Sequence, residues 1–158
     1  MDSLWSPWRY QYVSQTSSGE SCIFCEKAKE QRDRENFILY RGKLNYVLLN
    51  LYPYTTGHLM VAPYSHFAEL GGLSAGILGE MMALAQRAES ALRDAYHPDG
   101  LNIGMNLGKA AGAGVAGHVH LHILPRWFAD SNFMTTIGET RVMPEDLTTT
   151  YGKLQPRF

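Results

Sequence analysis

Between Ser74 and Tyr96, apolar residues recur three or four positions apart: Ile77, Met81, Ala85, Ala88, Leu92 and Tyr96. That spacing gathers them on one face of a helix. Ser74 is placed to cap the start, and His97-Pro98-Asp99-Gly100 forms a strong stop. A core helix lying over a sheet is predicted. Directly afterwards the period changes to two. Leu101, Ile103, Met105 and Leu107 alternate with Asn102, Gly104, Asn106 and Gly108. This reads as a strand with one apolar face and one face of small polar residues, where a ligand can approach the backbone. Apolar runs at 36–40, 45–49 and 58–62 read as further strands, with a turn over 52–57. No repeat or long linker interrupts the chain. Its 158 residues suit one domain, with an N-terminal extension over 1–20 and a C-terminal one over 128–158. Trp5 and Trp8 in the first extension point to docking on the domain or on a second subunit.

The sharpest pattern is His118-Val119-His120-Leu121-His122, followed by Ile123-Leu124-Pro125. In a strand, alternate side chains share a face, so all three imidazoles stand together opposite Val119, Leu121 and Ile123. In a helix the middle histidine would lie far round the axis. Pro125 is expected to end the strand or sit at an edge. Three adjacent imidazoles admit three chemistries. They can bind a metal such as zinc, attack phosphorus as a nucleophile with neighbours handling the proton, or form a pH-sensitive surface.

Composition narrows the field. A net charge of −1 offers no basic excess for a nucleic-acid backbone, so none is expected as a partner. No apolar run approaches a membrane span, and Met1-Asp2-Ser3-Leu4-Trp5 does not read as a signal peptide. With two cysteines the chain is no disulfide scaffold, and a cytoplasmic protein is expected. Those cysteines, Cys22 and Cys25, have the spacing at which two thiolates grip one metal. A zinc site needs two further ligands, and His66 and His118 are the candidates. Upstream of the histidines, Gly112-Ala113-Gly114-Val115-Ala116-Gly117 matches G-x-G-x-x-G literally. It leads into a strand rather than opening a helix, so a dinucleotide fingerprint is rejected. Its backbone N–H groups can still meet a phosphate.

The run His118 to Leu124 resembles the signature of the histidine-triad proteins. The resemblance spans most of 22–127. It includes Cys22-Ile23-Phe24-Cys25, the segment from Gly57 to His66, and Asn106-Leu107-Gly108 with the glycine loop. Leu4-Trp5-Ser6-Pro7-Trp8-Arg9, the segment Leu49 to Tyr54, Pro125-Arg126-Trp127 and the segment Asp130 to Phe133 resemble the bacterial diadenosine tetraphosphate phosphorylases and their relatives. The resemblance implies an α+β, HIT-like fold: about five mostly antiparallel strands with two helices, paired as a homodimer.

It also implies roles. His120 is the nucleophile that attacks the α-phosphorus of a nucleotide, giving a nucleotidyl-histidine that passes to water or phosphate. His122 contacts the phosphate or leaving group. Cys22, Cys25, His66 and His118 hold a structural zinc. Asn50 binds ribose and Asn106 phosphate, with Gly112 and Gly114 in the phosphate loop. Phe24 and Leu48, with Ile23 and Leu51, line a base pocket, although ordinary core packing fits these four equally. His58 is expected to be structural, and Lys109 a solvated surface residue. Many members carry Gln and Ser or Thr where this chain has Gly114 and Val115, so backbone N–H groups must replace side-chain contacts to phosphate. The expected activity is a nucleotidyl transferase or hydrolase acting on diadenosine polyphosphates. The alternatives are an adenosine phosphoramidase, a catalytic metal held by all three histidines, and a nucleotide-binding sensor without turnover.

Overall fold

The structure, a computed structural model, describes residues 22–138, 140 and 142–158. The segment carrying Trp5 and Trp8 lies outside them. The described elements are α1 (Ile23–Lys29), β1 (Ile38–Arg41), β2 (Asn45–Leu49), β3 (Leu59–Pro63), α2 (Ala75–Tyr96), β4 (Gly100–Met105), β5 (Leu121–Arg126), α3 (Phe133–Thr136) and α4 (Leu147–Leu154). The five strands form one antiparallel sheet in the order β1-β2-β3-β5-β4. This is the α+β architecture expected, with short helices added to the one the periodicity marks.

Helix α2 follows its apolar stripe. Ile77, Met81, Ala85, Ala88 and Leu92 are buried against Val47, Leu49, Leu59, Val61, Leu121 and Ile123 of the sheet. The Ser74 side chain accepts from the Ile77 amide at 3.3 Å, and His97 ends the helix in a left-handed conformation. Glu80 anchors α2 to the β1–β2 turn. Its carboxylate accepts from the amides of Lys43, Leu44 and Asn45 and from Asn45 Nδ2. Helix α4, inside the C-terminal extension, packs on the same side, with Leu154 fully buried in the core.

The opposite face of the sheet is different in kind. Alternation that sends Val47, Leu59 and Val61 toward α2 sends Tyr46, Leu48, Met60 and Ala62 the other way, where they enclose Phe24 of α1. The register pairs Met60 with His122 and Gly104 with His122, so the histidines share this second face. Paired strand begins only at Leu121, and residues 118–120, with a bend at His118, lead into it without strand pairing. Pro125 lies where β5 has passed the end of β3 and pairs with β4 alone, so its missing N–H leaves no ladder bond unmade. The apolar face of β4 divides. Leu101 and Met105 pack on the core, whereas Ile103 is 45% exposed on this edge strand and Leu107, just past it, 44% exposed.

Candidate active site and metal centre

One ring nitrogen of each of His58, His120 and His122 has a partner that determines where its proton sits. The Nδ1 of His120 lies 2.8 Å from the His118 carbonyl. A carbonyl only accepts, so Nδ1 carries the proton and Nε2 is left with its lone pair. The Nδ1 of His58 accepts from the Tyr54 amide at 3.1 Å, which places the His58 proton on Nε2. That Nε2 lies 2.9 Å from Nδ1 of His122 and donates to it. His122 therefore carries its own proton on Nε2. The result is two neighbouring rings, with centroids 4.7 Å apart, of opposite character. One presents a lone pair and the other an N–H.

Burial keeps these rings neutral. His58, His120 and His122 are 1%, 5% and 7% exposed. Desolvation, reinforced by the neighbouring His122 and His120, pushes His58 down to about 3. Desolvation, then His120, brings His122 to about 4. Burial also lowers His120, against the opposing pull of its bond to the His118 carbonyl.

His118 lies against the same Phe24 ring as His120 but takes different partners. Its Nε2 donates to the Pro63 carbonyl at 2.9 Å, leaving the Nδ1 lone pair directed at the cysteines. Nδ1 lies 3.3 Å from Cys22 Sγ and 3.6 Å from Cys25 Sγ, while Nδ1 of His66 lies 3.4 Å from Cys25 Sγ. The four ligand atoms lie within 4.8 Å of one another. Tetrahedral zinc with bonds of about 2.0–2.3 Å requires ligand atoms about 3.3–3.8 Å apart; the separations of 3.3, 3.4 and 3.6 Å meet this, and two thiols with two imidazoles are a donor set that suits zinc. Cys22 and Cys25 are free thiols.

The Cys22-Cys25-His66-His118 cluster and the imidazole pair share parts. His118 offers its ring to the cluster and its carbonyl to His120. Phe24, between the cysteines, packs its ring 5.1 Å from His118 and 4.7 Å from His120. Leu48 is buried beside Phe24 on the same face. Ile23 is 42% exposed and Leu51 half-buried. The ladder that pairs Gly104 with His122 ends at Met105 and Leu121, and Asn106 and His120 are the next residues beyond it, one on each side. Gly112 is held in a left-handed turn, and Val115 packs against the Phe24 cluster, which lays the glycine loop over this face. Asn50 is buried, with Oδ1 accepting from the Tyr52 amide and Nδ2 3.4 Å from Nδ1 of His58. Lys109 is exposed, as expected. Sequence reasoning missed the part His58 plays. It stands two residues before Met60, the cross-strand partner of His122, and only the strand register reveals that.

The HIT domain family model matches residues 31–129. Over 152 residues the chain is 39% identical to AP-4-A phosphorylase of Mycobacterium tuberculosis, a match covering 92% of this chain and 78% of that protein. It is 32% identical over 93 residues to bis(5'-adenosyl)-triphosphatase of Dictyostelium discoideum, covering 59% of this chain and 62% of that one. A zinc-bound histidine triad family protein from Mycobacterium smegmatis has a similar structure, with a TM-score of 0.68 and 30% identity. That match covers 87% of this chain and 92% of the other.

Proposed function

The chain belongs to the HIT family, and from that premise we propose that it is a nucleotidyl transferase that splits diadenosine polyphosphates, with diadenosine tetraphosphate the preferred substrate. One observation carries the reading: Nε2 of His120 holds a free lone pair beside the Nε2–H of His122. His120 attacks the α-phosphorus, and the bond from that phosphorus to its bridging oxygen breaks. His122 donates a hydrogen bond to the phosphate or leaving oxygen. ATP departs and an adenylyl group is left on His120. Inorganic phosphate then attacks the same phosphorus, releasing ADP and freeing the imidazole. Phosphate as acceptor is favoured by the likeness to a protein named AP-4-A phosphorylase.

Asn50 is the proposed ribose contact. Asn106, Gly112 and Gly114 meet the phosphates, and Phe24 and Leu48 border the base. Cys22, Cys25, His66 and His118 would hold a structural zinc, whose role is to tie α1 and the His66 loop to the start of the histidine run. Thiols kept for metal suit a reducing compartment, the cytoplasm. Among the described residues no helix is long and apolar enough to cross a membrane. The exposed Ile103 and Leu107 at the free edge of the sheet support a homodimer through β4.

Product analysis tests the reading. Diadenosine tetraphosphate should yield ADP plus ATP only when phosphate is present. AMP plus ATP regardless of phosphate would replace phosphorolysis by hydrolysis. No reaction, with cleavage of an adenosine phosphoramidate instead, would overturn the substrate assignment.

A further inference from the structure

Helix α1 has only seven residues, yet it carries Phe24 and Cys25 and begins beside Cys22. A helix this short does not hold itself together in water. Its N-cap, Cys22, makes no side-chain capping bond, and Phe24 is its one buried residue. Two side chains from the sheet hold it instead. The hydroxyl of Tyr46, on β2, donates to the Phe24 carbonyl at 2.8 Å. Arg41, at the end of β1, reaches back to the far end. Its Nη1 donates to the Ala28 carbonyl at 2.7 Å, and Nη2 donates to the carbonyls of Glu30 at 2.6 Å and Lys27 at 3.4 Å. The last carbonyls of a helix have no partner within it, and a cation there also suits the helix dipole. The Asp33 carboxylate braces the guanidinium from the other side, accepting from Nε at 3.0 and 3.2 Å and from Nη2 at 2.8 Å.

We propose that Arg41 is the positioning residue for the metal centre: by clamping the end of α1 it presets Cys22 and Cys25 against His66 and His118. The inference rests on reading the cluster as a zinc site. Tyr46 holds Phe24 at the other end of the same helix, where its ring lies 4.7 Å from that of His120. Only a planar, multiply donating group can serve three carbonyls and a carboxylate together. Lysine, a compact point charge, cannot.

The test uses the full chain and the metal alone. Wild type, Arg41→Gln, Arg41→Lys and Asp33→Asn are stripped of metal and titrated with zinc against a chromophoric chelator, then with cobalt(II), whose visible bands report ligand geometry. Arg41→Gln is expected to bind zinc at least about tenfold more weakly and to give a weaker tetrahedral cobalt band. Arg41→Lys should fall between it and wild type, and Asp33→Asn, which keeps the bonds to the carbonyls, should lose less. Circular dichroism of the stripped proteins separates misfolding from loss of preorganisation. If Arg41→Gln does not fold, the Lys and Asn variants carry the comparison. Wild-type zinc affinity and cobalt spectrum in the folded variants overturn the inference. Failure of wild type to bind either metal, or metal uptake unaltered in Cys22→Ser, instead overturns the zinc reading beneath it.

Discussion

The hydrogen-bond chain from Tyr54 through His58 to His122 makes a prediction about a residue that touches no substrate in the proposed mechanism. Replacing His58 with Leu keeps bulk in the cavity but removes three bonds, the longest of them the 3.4 Å contact from Asn50 Nδ2. The Tyr54 amide loses its acceptor at 3.1 Å, and Nδ1 of His122 loses its donor at 2.9 Å. Losing the partner of a buried polar group costs about 1–3 kcal/mol, so the two shorter bonds together put the stability loss at about 2–6 kcal/mol. The catalytic effect is separate. Without His58, nothing holds the His122 proton on Nε2, and its ring can turn or change tautomer. Losing a positioned proton donor costs about 100-fold or more in rate. The loss should fall on kcat with KM little changed, because the bond matters most as charge moves onto the leaving oxygen. His58→Gln, whose amide can still donate toward His122, should recover part of it. The assay is steady-state turnover of diadenosine tetraphosphate with phosphate, beside nucleotide-binding and urea-unfolding measurements. If folded His58→Leu turns over within threefold of wild type while His122→Ala is crippled, the tautomer argument is wrong.

Three further expectations bear on the scaffold. Burial pushes the Glu80 carboxyl up, but the bonds from the Asn45 side chain and from the amides of Lys43, Leu44 and Asn45 outweigh it and hold the group below its ordinary value. Its stabilisation is therefore complete above about pH 4.5 and lost as pH falls through the lower folded-state value. Glu80→Gln should cost about 2 kcal/mol at neutral pH, and urea unfolding should show the gap to wild type closing in acid. Gly57 has a φ of +77°, and a Cβ there would stand 3.1 Å from Leu92 and 3.3 Å from Pro125. Gly57→Ala should cost about 2 kcal/mol, read as a Tm lower by about 4–8 °C. Ile103→Lys should leave the fold intact, since the residue is 45% exposed, yet shift a dimer toward monomer in sedimentation velocity.

What could be read from the sequence depended on whether a signal was local. Helix α2 was legible because its stripe, its Ser74 cap and its stop all lie within the segment. The gathering of His118, His120 and His122 is what the alternation predicts, and the rings do cluster, His118 and His120 on Phe24 and His120 beside His122, even though pairing begins only at Leu121. Asn102 and Gly104 of the small polar face do lie on the side of His122, as the register shows, and Asn106 follows just past the end of the strand. Helix α1 was not legible, because tertiary bonds from Arg41 and Tyr46 hold it rather than any periodicity of its own. Helix α4 was hidden by its run of β-branched threonines, weak helix formers, although Asp146 caps it with a bond to the Thr149 amide. The part played by His58 was invisible because it depends on a contact 64 residues away along the chain. The exposure of Ile103 depends on β4 being an edge strand, a fact of topology that alternation cannot express.

The central claim is that Nε2 of His120 forms a bond to the α-phosphorus, and trapping that bond tests it most directly. Enzyme mixed with diadenosine tetraphosphate without phosphate, quenched rapidly at neutral to alkaline pH and digested, should show one adenylyl group on the peptide containing His120. The adduct should decay to ADP when phosphate is added before the quench, and His120→Ala should carry none. Full turnover with no adduct at any time, or an adduct on another residue that persists in His120→Ala, would contradict the account.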